Sequence, residues 1–183
     1  ILPHVIAPWP QMELQQTTLQ NIIENTQLFV AFGGLPKRNA QVAYGGVTEH
    51  RTAIDLSRAR AAGTEFVSIS PVANDTEADL KASWLAPVPG TDVALMLGLA
   101  YVLETQKLTA TAFLRSHCVG YARVKDYLLG KTDGIAKTPR WASSICGVPV
   151  DEIESLALKM AGRRTFLTAA WSLQRGDHGE QPY

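Results

Sequence analysis

Cysteine is scarce in this sequence: Cys118 and Cys146 are its whole complement. Two thiols make no disulfide framework, they form no CxxC pair, and neither has a histidine at zinc spacing. Both are therefore expected as buried or half-buried thiols, and no iron–sulfur cluster is expected. An excess of charge is also missing, with 17 basic residues against 17 acidic ones. That balance removes the basic footprint of nucleic-acid binding and the polybasic run of a membrane surface, so neither partner is expected. The apolar stretches are too short and too interrupted to span a bilayer. No GxGxxG or GxxxxGK[ST] occurs, which leaves ordinary NAD binding and P-loop chemistry without support. The four histidines, His4, His50, His117 and His178, share no metal spacing, and Ser172 lacks a GxSxG setting. The first residue is Ile rather than Met, and Ile1-Leu2-Pro3-His4 has neither the charged start nor the apolar core of a signal peptide. The chain is expected to begin partway into a longer protein.

What is present is an alternation of β-rich runs and helical patterns, over a length that suits one well-buried domain, or one domain with a small appendage. Leu19, Ile22 and Ile23 mark a short amphipathic helix within 17–25. Leu28-Phe29-Val30-Ala31-Phe32 reads as a buried strand closed by Gly33-Gly34. A helix is expected over 47–62, capped by Gly63, then a strand over 65–70 closed by Pro71. A strand–helix–strand unit of this size implies parallel strands. Residues 84–88 suggest a third strand, placed at a sheet edge by Pro87. Asp92 to Thr105 forms a nearly all-apolar helix, and short helices are expected over 110–116, 121–129 and 139–144. An amphipathic helix over 150–160 precedes a last strand over 165–171. The fold class expected is α/β, a doubly wound, mostly parallel, Rossmann-like sheet with a small helical insertion. Its boundaries are read as 1–108 for the first part of the α/β domain, 109–149 for the insertion and 150–183 for the last helix and strand with their loop.

In such sheets ligands bind beyond the carboxyl ends of the strands, where the strand order reverses. Four loops qualify: 33–39, 70–72, 89–92 and 172–178. Gly33 and Gly34 allow backbone to approach a phosphate, and Lys37 or Arg38 supplies positive charge. Asp92 opens a helix, which makes it either a plain N-cap or a carboxylate that accepts two N–H groups from a guanine edge. Arg175, between a strand and a helix, is a surface residue or an anion clamp. On these features alone the chain is a nucleotide-type α/β binding domain.

The stretch Thr168-Ala169-Ala170-Trp171-Ser172-Leu173-Gln174-Arg175-Gly176-Asp177-His178-Gly179-Glu180-Gln181 closely resembles the GWS-[ML]-QR-x-x-HGEQ segment of the trimethylamine-N-oxide, dimethyl sulfoxide and biotin sulfoxide reductases, in the molybdopterin oxidoreductase superfamily. Pro89-Gly90-Thr91-Asp92-Val93-Ala94-Leu95-Met96-Leu97-Gly98 is similar to that family's PQTDVAMMLG, and Ser68-Ile69-Ser70-Pro71-Val72 to its SI[ND]PV. Lys131-Thr132-Asp133-Gly134 with Pro139-Arg140-Trp141-Ala142 resembles its GxxD…KTxxWA segment. The resemblance runs over essentially the whole chain. It implies cofactor contacts at Arg38 and Asn39, at Ile69 and Ser70, at Gly90, Thr91 and Asp92, and at Trp171, Ser172 and Arg175, with Asp92 the guanine reader. Three contact positions depart from the family pattern: Gly90 stands for its Gln, and Arg38-Asn39 for its Lys-Thr. The cofactor implied is molybdopterin guanine dinucleotide, as the bis-pterin molybdenum form in a full-length enzyme that reduces N-oxides or S-oxides. This chain would hold one guanosine diphosphate arm. The resemblance also implies that the metal-ligating serine lies upstream of Ile1, so no catalytic or metal-ligating residue is assigned here. The remainder of the same polypeptide is the expected partner, and the chain alone is expected to be inactive. A second reading is a stand-alone, non-catalytic nucleotide-binding module.

Overall fold

The structure is a computed structural model that describes residues 8, 10–11, 17–35, 51–76, 78–179 and 181–182. It divides into two compact units, 1–85 with 164–183, and 86–163. Each is built around its own packing.

The first unit is a parallel sheet of β1 (Leu28–Phe32), β2 (Glu65–Ile69), β3 (Ser83–Leu85) and β4 (Thr165–Ala169), in the order β3-β2-β1-β4. The chain steps outward from β1 to β2 to β3, then returns to the other side of β1 with β4, which pairs Leu28 with Thr165 and Phe32 with Ala169. Strand order therefore reverses between β1 and β4. All five residues of β1 are buried, as a continuous apolar run in a central parallel strand should be. On one face, Phe29, Ala31 and Phe66 pack with Ile22 of α1 (Leu19–Asn25) and with Leu56 and Ala59 of α2 (Thr52–Ala61). Phe29 stands between Phe66 and Phe166, with ring centroids 5.2 and 4.9 Å away, which ties three strands together through one aromatic row. Thr18 caps α1 by accepting from the backbone N–H of Asn21.

These elements match the expected α/β class with parallel strands. The expected helix over 47–62 is seen from Thr52, and its first residues lie outside the described ones. The third strand is at the sheet edge but ends at Leu85, before the proline whose missing N–H would interrupt a ladder.

The second unit is helical: α3 (Asp92–Thr105), α4 (Thr111–His117), α5 (Tyr121–Leu128), α6 (Pro139–Cys146) and α7 (Val150–Ala161). The helix α3 has no exposed residue from Asp92 to Glu104, consistent with its apolar sequence. Gly98 lets α6 approach it: a Cβ there would stand 2.6 Å from Cβ of Ala142. Facing residues Ile153, Leu156 and Ala157 of α7 are buried. Between α5 and α6 lies Lys137, only 1% exposed. Its ammonium donates to Asp133 and to the Ile135 carbonyl, 4.1 Å from the centroid of the Tyr127 ring. Buried lysine is tolerated where its protons are used in this way. Lys137 is thus a buried member of the Lys131–Ala142 segment singled out in the sequence, and its partner Asp133 lies at the surface. Thr138 then caps α6 through the N–H of Trp141, with Pro139 at the start of the helix. The cysteines divide: Cys146 is buried as expected, whereas Cys118 is exposed. The expectation fails at Cys118 because it ends α4, a helix that buries none of its residues.

Candidate functional site

The carboxyl edge of the sheet is shaped by two glycines. Gly33 leaves β1 at φ +88, with its N–H donating to the Ile69 carbonyl at 2.7 Å. A Cβ at Gly33 would lie 2.7 Å from Cβ of Ala170 and 2.9 Å from Oγ of Ser172, so the turns after β1 and β4 close on each other only because no side chain intervenes. Gly34, at φ +76, faces the other neighbour: a Cβ there would stand 2.4 Å from the Asp75 carbonyl oxygen. Leu35 then donates to that same carbonyl at 2.6 Å and bridges Thr76 in parallel register. The turn after β1 is thus wedged between the turns after β2 and β4.

After β2, Ile69 and Ser70 are both buried. Every polar atom of Ser70 has a protein partner. Its Oγ donates to Asp75 Oδ2 at 2.8 Å and accepts from the N–H of Val72 at 3.2 Å. Its N–H donates to the Leu85 carbonyl, and its carbonyl accepts from the indole of Trp84 at 2.8 Å. Ser70 is a knot that fixes the β2 turn to β3.

After β4, the ladder ends with Ala170 donating to the Phe32 carbonyl at 2.8 Å, and a 3-10 turn follows over Trp171–Arg175. Trp171, Ser172 and Arg175 are exposed, Trp171 to 67% of its surface. The turn is tightened from behind by Gly179, whose Cβ would meet the Gln174 carbonyl oxygen at 2.3 Å. An indole, a hydroxyl and a guanidinium are therefore presented at the reversal of strand order by a loop with little freedom of its own.

In the second unit the loop 86–91 runs into α3. Val88 donates to the Cys146 carbonyl at the end of α6 (2.9 Å), and Thr91 donates to the Val88 carbonyl through both its N–H and its hydroxyl. Thr91, not Asp92, holds the N-cap position, because the chain enters the helix one residue earlier than a capping Asp92 would require. Asp92 sits in the first helical turn, half-buried. Burial pushes its carboxyl above the usual value, opposed by its own backbone N–H. Among the described residues it has no cationic partner. A desolvated carboxylate at a helix start, left without a counter-charge, is suited to accept N–H donors from outside.

Five of the ten positions read from the sequence, Ile69, Ser70, Trp171, Ser172 and Arg175, thus lie along one sheet edge. Gly90, Thr91 and Asp92 form the helix entry of the second unit. Arg38 and Asn39 lie outside the described residues. Sequence reasoning did not single out Asp75 and Trp84, which fix Ser70; neither sits at a strand-end signal, though both follow the Ser-Pro stop of β2 within a short distance. Among the described residues no group of three or more His, Cys, Asp or Glu side chains is arranged to hold a metal ion. No helix among them is long and apolar enough to cross a membrane.

The chain is 37% identical over its full length to a trimethylamine-N-oxide reductase of Haemophilus influenzae and to a dimethyl sulfoxide/trimethylamine N-oxide reductase of Rhodobacter capsulatus, spanning 22% of each. It is 37% identical to a biotin sulfoxide reductase of Cereibacter sphaeroides, again along its whole length and over 25% of that protein. Among solved structures, acetylene hydratase from Pelobacter acetylenicus shares the fold, with a TM-score of 0.60 at 20% identity, over 81% of this chain and 18% of that one. The family model described as Molybdopterin oxidoreductase matches residues 9–183. With the strand-end turns and helix entry falling where that match runs, the chain belongs to the molybdopterin oxidoreductase family, and membership implies a molybdopterin cofactor.

Proposed function

We propose that this chain is one part of a molybdenum-dependent oxidoreductase that reduces N-oxides or S-oxides, and that it holds one guanosine diphosphate arm of a bis-molybdopterin guanine dinucleotide cofactor. The observation that carries the reading is the turn after β4, which presents Trp171, Ser172 and Arg175 at the reversal of strand order. Their chemistry fits the group. Arg175 offers a planar fork of N–H donors to a pyrophosphate, Ser172 a hydroxyl donor, and Trp171 an apolar face for a ring. Asp92 offers paired acceptors to the N–H groups of a guanine edge. Gly90 and Thr91 shape the loop that enters α3, and Ile69, the last residue of β2, holds the Gly33 turn through its carbonyl. Ser70, with its own atoms engaged, sets the shape of the turn.

The molybdenum–dithiolene centre, when bound, carries the oxygen-atom transfer. The residues of this chain bind and orient; among the site residues proposed here none is positioned as an acid, base or nucleophile. Names of the relatives support N-oxides and S-oxides as the substrate class. The test is the nucleotide content of the purified full-length protein. Hydrolysis of the cofactor's pyrophosphate should release GMP in proportion to molybdenum. A preparation that holds molybdenum and releases no GMP would overturn the guanine dinucleotide reading.

A further inference from the structure

The turn that delivers Asp92 is set by backbone conformation. The N–H of Thr91 donates to the Val88 carbonyl at 3.2 Å, which closes a β-turn over 88–91. Pro89 fixes φ at the first inner position and Gly90 holds φ +79 at the second, the pattern of a type II turn. A Cβ at Gly90 would meet nothing within 4 Å, so the position requires a left-handed backbone rather than room. Thr18 and Thr138 cap their helices with their hydroxyls. Thr91 makes no such cap, because its hydroxyl donates back to Val88 and tightens the turn instead. The turn is also anchored from outside. Val88 donates to the Cys146 carbonyl, and α6 lies close against α3 where Ala142 meets Gly98. Cys146 is fully buried. The Asp92 carboxylate adds to burial in pushing its thiol up, so the acid lies within electrostatic reach of the α6 end.

We propose that Pro89, Gly90 and the Cys146 carbonyl are positioning groups for the guanine-reading carboxylate: the left-handed Gly90 fixes where Asp92 enters α3, and the end of α6 holds the turn in place. The inference rests on the reading of Asp92 as the guanine reader. Paired acceptors discriminate only where both oxygens meet their N–H donors, and a displacement of about 0.5 Å is enough to lose that match. Selectivity is therefore lost before folding is.

Gly120 supplies the control. It is left-handed, at φ +83, in the same compact unit, and a Cβ there would also meet nothing within 4 Å, but it precedes α5 rather than α3. In the full-length protein prepared without cofactor, Gly90→Val and Gly120→Val should lower the unfolding temperature comparably. Calorimetric titration with GDP and with ADP should show the GDP preference reduced about tenfold or more in Gly90→Val and intact in Gly120→Val. Gly90→Asn should retain the preference, because asparagine tolerates the left-handed region. Gly90→Ala and Gly120→Ala carry the same comparison at a smaller strain. An undiminished preference in Gly90→Val, or equal losses in Gly90→Val and Gly120→Val, would overturn the positioning role while leaving Asp92 as the guanine reader. Equal binding of GDP and ADP by the unaltered protein would overturn the guanine reading itself and the inference with it, so the two failures are distinguishable.

Discussion

The turns after β2 and β4 flank the same glycine pair and have opposite characters. At the β2 turn, Ser70 is 1% exposed and every polar atom it carries is engaged by Asp75, Val72, Leu85 or Trp84. At the β4 turn, Trp171, Ser172 and Arg175 are exposed. One turn is built to be held, the other to present. Residues that look alike as loop positions in the sequence therefore do different jobs. Substitutions in the first should cost stability, and those in the second should cost affinity for a ligand.

The largest stability effect is expected at the glycine between them. Gly34→Ala puts a Cβ in the left-handed region and 2.4 Å from the Asp75 carbonyl oxygen. It should lower unfolding free energy by about 3 kcal/mol, read as a drop in urea midpoint. Ser70→Ala should follow at about 1–2 kcal/mol, since it strips partners from Asp75 and from the Val72 N–H in a buried turn. A smaller, pH-dependent effect belongs to Asp133, outside both turns. The hydrogen bond from Lys137 holds its carboxyl below the usual 3.8. Its contribution is fully present above that value and is lost as pH falls through the lower folded value. Asp133→Asn should flatten that part of an acid denaturation curve. Smallest of all is Arg175→Ala, with a stability change within about 0.5 kcal/mol for an exposed side chain. If the contrast between the turns is right, the same variant weakens binding of GDP by about tenfold, the loss of a charge-assisted hydrogen bond. A stable Ser70→Ala together with an unfolded Arg175→Ala would reverse the contrast.

Much of the fold was legible because its signals are local. The run from Leu28 to Phe32 and the helix from Asp92 to Thr105 stand at the bounds read from the sequence. The α6 helix was read two residues short, although Gly147, left-handed just after Cys146, marks its true end. What was not legible depends on residues far apart in the chain. Nothing local in the sequence marks Lys137 as buried, and only folding brings it against the Tyr127 ring and within reach of Asp133. Ser70 reads as a ligand contact, and only folding brings Trp84 and Asp75 to it. Ser172 and Arg175 were legible as a strand-end loop, whereas Trp171, read as the end of the strand, opens the 3-10 turn because β4 stops at Ala169; the place of the loop beside β1 follows from the pairing of β4 with a strand far upstream.

The central claim is most directly tested at Asp92. Because burial raises its carboxyl above 3.8, ionisation of Asp92 works against folding, and stability falls as pH rises through the window above that value. Asp92→Asn should therefore leave the protein folded and at least as stable at neutral pH. Calorimetric titration with GDP and with ADP then isolates its role in binding. The account predicts a preference for GDP in the unaltered protein that disappears in a folded Asp92→Asn variant. Equal binding of the two nucleotides by the unaltered protein, or an undiminished GDP preference in the variant, would contradict it.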